Sequence, residues 1–166
     1  MRDATPEDAH EVAGVHVRAW QAAYRGLLPD EYLDALRAEE RAVHHSFGAE
    51  DEDAPRTIVA VRSAAITAFA SYGRSRDVDA ADAGELFALY VDPPHWSAGT
   101  GSLLMTEVEA RLRGQGLREA VLWVLVGNEQ AERFYRARGY RRDGGHRHER
   151  PWGVNAEVIR YRRSLV

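Results

Sequence analysis

Two segments about thirty residues apart contain the residue types needed to hold a phosphate-bearing cofactor beside a proton donor. The first, VDPPHWSAGTGS at residues 91–102, ends an apolar strand and opens a helix through a glycine turn. Such a turn directs unpaired backbone N–H groups at one point, where a phosphate can bind. The second, NEQAERFY at residues 128–135, places a capping Asn128 and Tyr135 on one short helix. A tyrosine hydroxyl can donate a proton to a departing thiolate.

The spacing within these segments limits which classes of phosphate-bearing ligand could bind. Gly99 and Gly101 lack the Cβ atoms that would hold a pyrophosphate away from the backbone, although a Gly-x-Gly turn can also be a plain connection. The turn lacks the Lys-Ser/Thr ending of a nucleotide-triphosphatase loop and the third glycine of a dinucleotide-binding turn. Tyr135 lies two helical turns after Asn128 on nearly the same face, with the small Ala131 between them. This arrangement predicts a groove in which an extended ligand passes close to the helix.

The elements that position these segments are predicted from apolar periodicity. One helix is expected from Thr5, its N-cap, to about Tyr24, and a second from about Asp30 to Ser46. Two more helices follow the glycine turn and Asn128. Runs rich in β-branched or aromatic residues predict strands, which are Thr57–Arg62, Ile66–Tyr72, Leu86–Val91, Ala120–Val126 and Glu157–Tyr161.

The connections between these elements are polar. The first two strands are expected to form a hairpin that turns near residues 63–64. Residues 74–84 are expected to form a mobile surface connection, and the acidic stretch 50–53 a solvated loop. Helices, antiparallel strands and then alternating strands and helices predict a mixed α/β sheet. We find no internal repeat, so the prediction is a single domain over residues 1–166.

Composition limits the classes of function. The 166 residues are 45% hydrophobic and 29% charged, as in an ordinary globular domain, and none is cysteine, which excludes disulfides, thiol catalysis and cysteine metal sites. The histidine pairs complete no convincing metal site, so no metal is expected. A formal net charge of −4 argues against nucleic acid as a partner. Without an eighteen-residue apolar run or a signal-peptide pattern, no membrane association and a cytoplasmic location are expected.

Several of these residues together resemble a known cofactor site. They are Val91-Asp92-Pro93, Gly99-Thr100-Gly101, Asn128, Ala131, Phe134-Tyr135 and Gly139-Tyr140, and they resemble the acetyl-coenzyme A site of the GNAT superfamily of N-acetyltransferases over nearly the whole chain. The resemblance implies an α/β (α+β) fold with a mixed, mostly antiparallel sheet of about six to seven strands and about four flanking helices. It also implies a splay between strands 4 and 5, acetyl-coenzyme A as cofactor and coenzyme A as product. The habit of the family makes a homodimer plausible.

The resemblance also assigns roles to residues. The N–H groups of the pyrophosphate loop correspond to Ser97, Ala98, Gly99, Thr100, Gly101 and Ser102. The backbone of Leu89, Tyr90 and Val91 is expected to pair with the pantetheine arm as an added strand would. Asn128 matches the pantetheine-contacting Asn of the family, Ala131 leaves room beside it, and Tyr135 matches the general acid. Arg138 is a candidate for the 3′-phosphate of coenzyme A.

Two departures from the family pattern stand out. Trp96 occupies a position where Gln or Arg is usual, so side-chain help for the phosphate is reduced while backbone help remains. Trp123 stands where enzymes that acetylate ribosomal-protein N-termini can carry a catalytic Glu, which puts that specificity in doubt.

The acceptor side is less well determined. An amine with a pKa near 10 must lose a proton before it attacks a thioester, and Glu85, at the start of a strand, is the candidate base, with His95 and Glu157 as alternatives. Aromatic residues that could form an amine pocket are Trp20, Tyr24, Tyr72, Trp123 and Trp152, although such spacing is also typical of a core.

Two hypotheses of different classes follow for the function. The first is an N-acetyltransferase that moves acetyl from acetyl-coenzyme A to a primary amine of a small molecule or peptide by direct attack in a ternary complex. The second is a noncatalytic acyl-coenzyme A binding or sensing module of the same fold, and Tyr135 favours the enzyme. A nucleotide-phosphate binder of another class is disfavoured, because no lysine follows the glycine loop. The sequence leaves the identity of the amine open.

Overall fold

The computed structural model describes residues 1–45, 47, 54–150 and 153–166, whose strands form one seven-stranded mixed sheet in the order β1-β2-β3-β4-β5-β7-β6. The strands are β1 (Arg2–Asp3), β2 (Arg56–Arg62), β3 (Ala65–Arg74), β4 (Gly84–Val91), β5 (Glu119–Leu125), β6 (Arg141–Glu149) and β7 (Ala156–Ser164). The helices are α1 (Ala9–Ala23), α2 (Asp30–Ala35), α3 (Ala38–Ala42), α4 (Thr100–Gly114) and α5 (Glu129–Ala137). The predicted end of the second helix at Ser46, the acidic loop 50–53 and Trp152 lie outside the described residues.

The chain enters α1 through a capped turn. Thr5 precedes a short 3₁₀ turn at Pro6–Asp8, and the carboxylate of Asp8 accepts hydrogen bonds from the Thr5 backbone N–H at 2.8 Å and from Arg2. Proline at the first helical position costs nothing there, because its missing N–H would have no helical partner. The helix predicted to run to Tyr24 is therefore confirmed, with its last turn ending at Ala23.

The single helix predicted from Asp30 to Ser46 is wrong, because the chain breaks between α2 and α3. Leu36 and Arg37 adopt extended backbone with ψ of 135° at both residues. The Arg37 guanidinium donates to the carbonyl oxygen of Asp34 at 2.7 Å, and the break lets both Leu33 and Leu36 pack into the core. A helical period alone cannot reveal this rearrangement, since the buried apolar residues still recur every three or four positions.

The centre of the sheet contains an opening. The β2–β3 hairpin turns at Ser63 and Ala64, both with positive φ, as predicted. The parallel pairing of β4 with β5 is confined to Gly84–Leu86 against Ala120–Leu122. Beyond Leu86 the two strands separate, which confirms the predicted splay between strands 4 and 5.

Two elements differ from the sequence prediction at the far side of the sheet. The polar edge strand β6 has no apolar alternation and was not predicted, and β7 is longer than the predicted Glu157–Tyr161. Residues 74–84, predicted as a surface connection, contain a 3₁₀ turn at Val78–Ala80 and the buried Asp77.

Helices cover both faces of the sheet. One face packs against α4 and α5 through Leu104, Met105, Val108 and Tyr135. The other face packs against α1 and α2, with Trp20, Leu28 and Leu33 in the core and Tyr24 and Tyr90 beside it. The splay therefore lies between two helical layers and is reached from both. Among the described helices, none combines the length and the apolar character needed to cross a bilayer.

Candidate functional site

A cavity of about 470 Å³ fills the splay between β4 and β5. Its walls come from both strands, from the turn before α4, from one side of α5 and from the end of α1. The residues of the sequence-predicted site that line it are Leu89, Tyr90, Val91, Ser97, Gly99, Thr100, Gly101, Ser102, Asn128, Ala131, Tyr135, Tyr24 and Trp123. Most of the predicted site is thus brought together around one space.

A β-bulge in β4 marks the middle of this cavity. In the pairing with β3, Ser71 lies opposite Ala88 while Tyr72 lies opposite Leu86, so Phe87 is the extra residue. The pairing of β4 with β5 has already ended at Leu86. Phe87 therefore has no partner in register on either neighbouring strand, and the bulge turns the strand locally at the point where the splay begins. The sequence offers no signal for this bulge, because it depends on how β4 pairs with β3.

The turn before α4 presents backbone N–H groups to the cavity. Ser97 and Gly99 have φ of 61° and 80°, in the left-handed region that favours glycine. The N–H of Leu103 bonds to the Gly99 carbonyl oxygen at 3.1 Å, so the N–H groups of residues 100–102 precede the first helical bond and lack helical partners. A Cβ added at Gly99 would meet nothing within 4 Å, and Gly99 itself lines the cavity. Unpaired N–H groups at a helix N-terminus favour an anion.

Trp96 and His95 complete the same end of the cavity. The Trp96 Nε1–H donates to the carbonyl oxygen of Val91 at 2.7 Å, which ties the glycine turn to the end of β4. Arg18 of α1 makes a two-pronged ion pair with Asp92, with both N···O distances 2.8 Å. These contacts fix the relative positions of strand end, turn and helix, and sequence spacing gave no indication of the Arg18–Asp92 pair.

Helix α5 contributes an amide and a hydroxyl. Asn128 caps the helix, its Oδ1 accepting the Ala131 N–H at 3.1 Å, while its Nδ2 has no partner among the described residues. The Tyr135 hydroxyl likewise makes no hydrogen bond within the described chain, although the residue is 9% exposed. Burial, with a smaller effect of Tyr90, raises the pKa of Tyr135 well above its ordinary value. The hydroxyl therefore stays protonated at neutral pH.

Tyr24 at the end of α1 and Tyr90 of β4 lie close to Tyr135. Their hydroxyls lie 3.2 Å apart, and burial raises the pKa of both. The Tyr90 ring stacks on the His16 imidazole with centroids 4.9 Å apart. Burial lowers the pKa of His16 to about 3, so that ring is neutral at physiological pH. The part of the cavity wall formed by Tyr24 and Tyr90, with His16 behind it, is therefore aromatic and uncharged.

Glu85 lies beside the cavity without lining it. The residue is 5% exposed, and its Oε2 accepts hydrogen bonds from the Arg76 N–H at 3.0 Å and the Ser75 hydroxyl at 3.3 Å. Oε1 has no such partner among the described residues. Burial raises the pKa of Glu85. The next residue, Leu86, lines the cavity.

A network of charged residues holds Trp123 in the cavity wall. Its Nε1–H donates to Asp77 Oδ2 at 3.0 Å, and the Arg147 guanidinium lies 3.8 Å from the ring centroid. Asp77 also accepts from Arg147 at 2.6 Å and from the buried Arg160 at 3.1 Å. Because three donors share one buried carboxylate, the connection before β4 is tied to β5, β6 and β7.

Other predicted site residues lie outside the cavity lining. Tyr72 is buried between β3 and α4, where its hydroxyl accepts from Arg111 at 3.3 Å. Trp20 is in the core of the α1 layer. Arg138 contacts Glu109 at 3.6 Å and Thr106 at 2.9 Å. Ala98 also does not line the cavity.

The two alternative candidate bases, His95 and Glu157, lie in different surroundings. His95 lines the cavity at the glycine turn, whereas Glu157 lies outside the lining and accepts a hydrogen bond from His146 at 2.5 Å. Within the described part of the chain, no three His, Asp or Glu side chains are grouped so that they could hold a metal ion.

Comparison with known proteins places this arrangement in a family. The family model described as the Acetyltransferase (GNAT) family matches residues 17–140. The chain is 28% identical over 144 residues to the uncharacterized N-acetyltransferase YuaI of Bacillus subtilis (strain 168), covering 82% of this chain and 77% of that protein.

Solved structures share the fold. The PaiA N-acetyltransferase from Thermoplasma acidophilum, in complex with coenzyme A, is 20% identical with a TM-score of 0.69, covering 96% of this chain and 95% of that one. The yncA protein of Salmonella typhimurium, solved with its cofactor acetyl-CoA, is 19% identical with a TM-score of 0.71, covering 99% and 92%. At this level of identity, the likeness establishes the fold.

Proposed function

The chain belongs to the GNAT family of acetyltransferases, and from this premise we propose that it transfers acetyl from acetyl-coenzyme A to a primary amine of a small molecule or peptide. The observation that carries the proposal is the splayed cavity, in which unpaired N–H groups before α4 lie at one end and the unbonded Tyr135 hydroxyl lies on a wall. A phosphate-bearing thioester requires an anion site for its phosphates and a proton donor for its leaving sulfur. The open edge of β4 connects the two.

The donor would be held mainly by backbone. The N–H groups of residues 97–102 would bind the pyrophosphate, and the free edge of β4 at Leu89–Val91 would pair with the amides of the pantetheine arm. The Asn128 amide Nδ2 adds a donor beside that edge. Arg138 stays a candidate for the 3′-phosphate only if it leaves Glu109, since the ion pair now occupies its guanidinium.

Tyr135 would act as the general acid. Acetyl-coenzyme A supplies an acetyl thioester whose sulfur leaves with a pair of electrons. The Tyr135 hydroxyl is protonated and has no partner within the described residues, so it can give its proton to that sulfur. A backbone N–H group at the Phe87 bulge would polarise the thioester carbonyl.

Glu85 would take the proton from the amine through a water molecule. Its Oε2 is held by two donors, and Oε1 has no partner among the described residues. A raised pKa makes a carboxylate a better base at neutral pH. Tyr24 and Trp123, which line the α1 side of the cavity, would contact the acceptor, whereas Trp20 and Tyr72 would support the core.

A two-step experiment tests the function. Thermal-shift titration with acetyl-coenzyme A measures binding, and release of the coenzyme A thiol over an amine library measures transfer. Mass spectrometry of the protein is a control for acetylation of the enzyme itself. Little is expected, because the chain contains no lysine that could accept acetyl groups. We expect stabilisation by acetyl-coenzyme A and amine-dependent thiol release. Stabilisation without release for any amine would favour the noncatalytic sensing module instead.

A further inference from the structure

Two arginines lie against aromatic rings of the cavity wall on the acceptor side, and both arginines stand outside the lining itself. The Cζ of Arg76 lies 4.2 Å from the Phe87 ring centroid, and that of Arg147 lies 3.8 Å from the Trp123 ring centroid. Both rings line the cavity. Phe87 is also the bulged residue of β4. The guanidinium of Arg76 therefore lies against the side chain of the residue at which β4 bulges.

Only one of the two guanidinium groups is paired with carboxylates of the described residues. Arg147 is paired with Asp77 at 2.6 Å and also with Glu149. Arg76 is exposed, and its guanidinium forms no ion pair with any carboxylate of the described residues. Its backbone N–H is nevertheless fixed by Glu85 Oε2 at 3.0 Å. Arg76 is thus a positioned cation that lacks an anion.

Resting on the acetyl transfer proposed above, we propose that the acceptor is a small amine that carries a carboxylate, such as a free amino acid, and that Arg76 binds this carboxylate. A guanidinium matches a carboxylate with two parallel hydrogen bonds, and the Phe87 ring beneath it restricts its orientation. The positive charge also disfavours protonation of the nearby amine, which keeps more of it in the attacking, neutral form.

The test compares amino acids with their own amides as acceptors, because each pair shares a side chain and differs at the carboxylate. Rates are compared per neutral amine, because loss of the carboxylate charge also lowers the pKa of the α-amine. Coenzyme A thiol release at fixed acetyl-coenzyme A gives kcat/KM for each acceptor. We expect the wild type to prefer the acids by about tenfold or more, which is the scale of a charge-assisted hydrogen bond. Arg76→Gln should abolish the preference with little change in the KM for acetyl-coenzyme A, and Arg76→Lys should retain part of it. Arg113→Gln, which removes an exposed arginine of α4 that does not stack on Phe87 or Trp123, is the matched control and should keep the preference.

The outcomes separate this proposal from the proposed function. Equal use of acids and amides, or an unchanged preference in Arg76→Gln, would overturn the role of Arg76. Efficient acetylation of peptide N-termini or simple amines but of no amino acid would overturn the acceptor class while leaving acetyl transfer intact. If no amine releases thiol and acetyl-coenzyme A does not bind, the function itself fails, and the acceptor proposal fails with it.

Discussion

The hydroxyls of Tyr24 and Tyr90 lie 3.2 Å apart and join the end of α1 to the free part of β4. This bond spans the acceptor side of the cavity, where β4 has lost its pairing with β5. Both phenols are protonated, because burial raises their pKa values. The contact therefore holds helix and strand together with a neutral hydrogen bond.

A double-mutant cycle measures that coupling. Tyr24→Phe and Tyr90→Phe should each lower the free energy of unfolding, and the double variant should lose less than the sum of both. We expect a coupling free energy of about 0.5–1.5 kcal/mol, as for a typical buried hydrogen bond. Urea denaturation of the four proteins gives the value. Strictly additive effects would show that the two hydroxyls do not stabilise each other.

Gly99 tests the phosphate end of the cavity. Gly99→Val projects a side chain into the open space before α4 and should abolish the binding of coenzyme A in a calorimetric titration. Gly116→Val is the matched control, because Gly116 has φ of +81°, close to the +80° of Gly99, also faces open space, and follows the other end of α4. The control carries the same backbone strain and should bind normally. Wild-type affinity in a folded Gly99→Val protein would place the phosphate elsewhere.

Glu85 is tested by the pH dependence of kcat/KM. A base must be deprotonated, so activity should rise with pH through the pKa of Glu85, which burial places above the ordinary value of about 4.3. Glu85→Gln should lower kcat/KM and remove this acidic limb. An identical pH profile in the variant would exclude Glu85 as the base and leave it the role of anchoring Ser75 and Arg76.

Asp8 is expected to contribute to stability in a pH-dependent way. The hydrogen bonds from Arg2 lower its pKa to about 2. A depressed carboxylate pKa stabilises the folded state fully above the pKa of an unfolded aspartate, about 3.9, and this contribution is lost as pH falls toward 2. At pH 7, Asp8→Asn should therefore lower the free energy of unfolding by about 1–2 kcal/mol, a figure that allows for the exposure of Arg2.

Denaturant titrations at several pH values check this expectation. The difference between the wild type and Asp8→Asn should shrink between about pH 4 and pH 2. Asp3→Asn is the control, since the Asp3 side chain is 72% exposed, and its effect should stay within about 0.5 kcal/mol. A constant difference across this range would mean that the Arg2–Asp8 pair does not shift the titration of Asp8.

The sequence predicted those parts of the fold that depend on local signals. Gly99 marks the turn before α4 and Asn128 caps α5, because a positive φ and a capping amide are requirements of single positions. The β6 edge strand was missed, since an exposed edge needs no apolar alternation. The bulge at Phe87 was also missed, because its cause is the register with β3.

In the candidate site, too, positions set by local sequence were predicted and positions set by distant contacts were missed. Residues of the glycine turn and of α5 line the cavity as their spacing indicated, and residues of β4 line it as the family resemblance implied. Tyr72 and Arg138 do not line it, because their positions depend on distant partners, Arg111 and Glu109. Asp77 was absent from the sequence analysis for a related reason, since its three donors come from β5, β6 and β7.

The central claim, that Tyr135 protonates the leaving sulfur, is tested most directly by the turnover of Tyr135→Phe with an accepted amine. We predict that kcat falls by about 10²-fold or more while the KM for acetyl-coenzyme A stays nearly unchanged, as for loss of a positioned general acid. Tyr140→Phe is the matched control, because Tyr140 packs against Tyr135 with ring centroids 6.0 Å apart but lies outside the cavity lining, and its kcat should match the wild type. A kcat for Tyr135→Phe equal to that of the wild type would contradict the account.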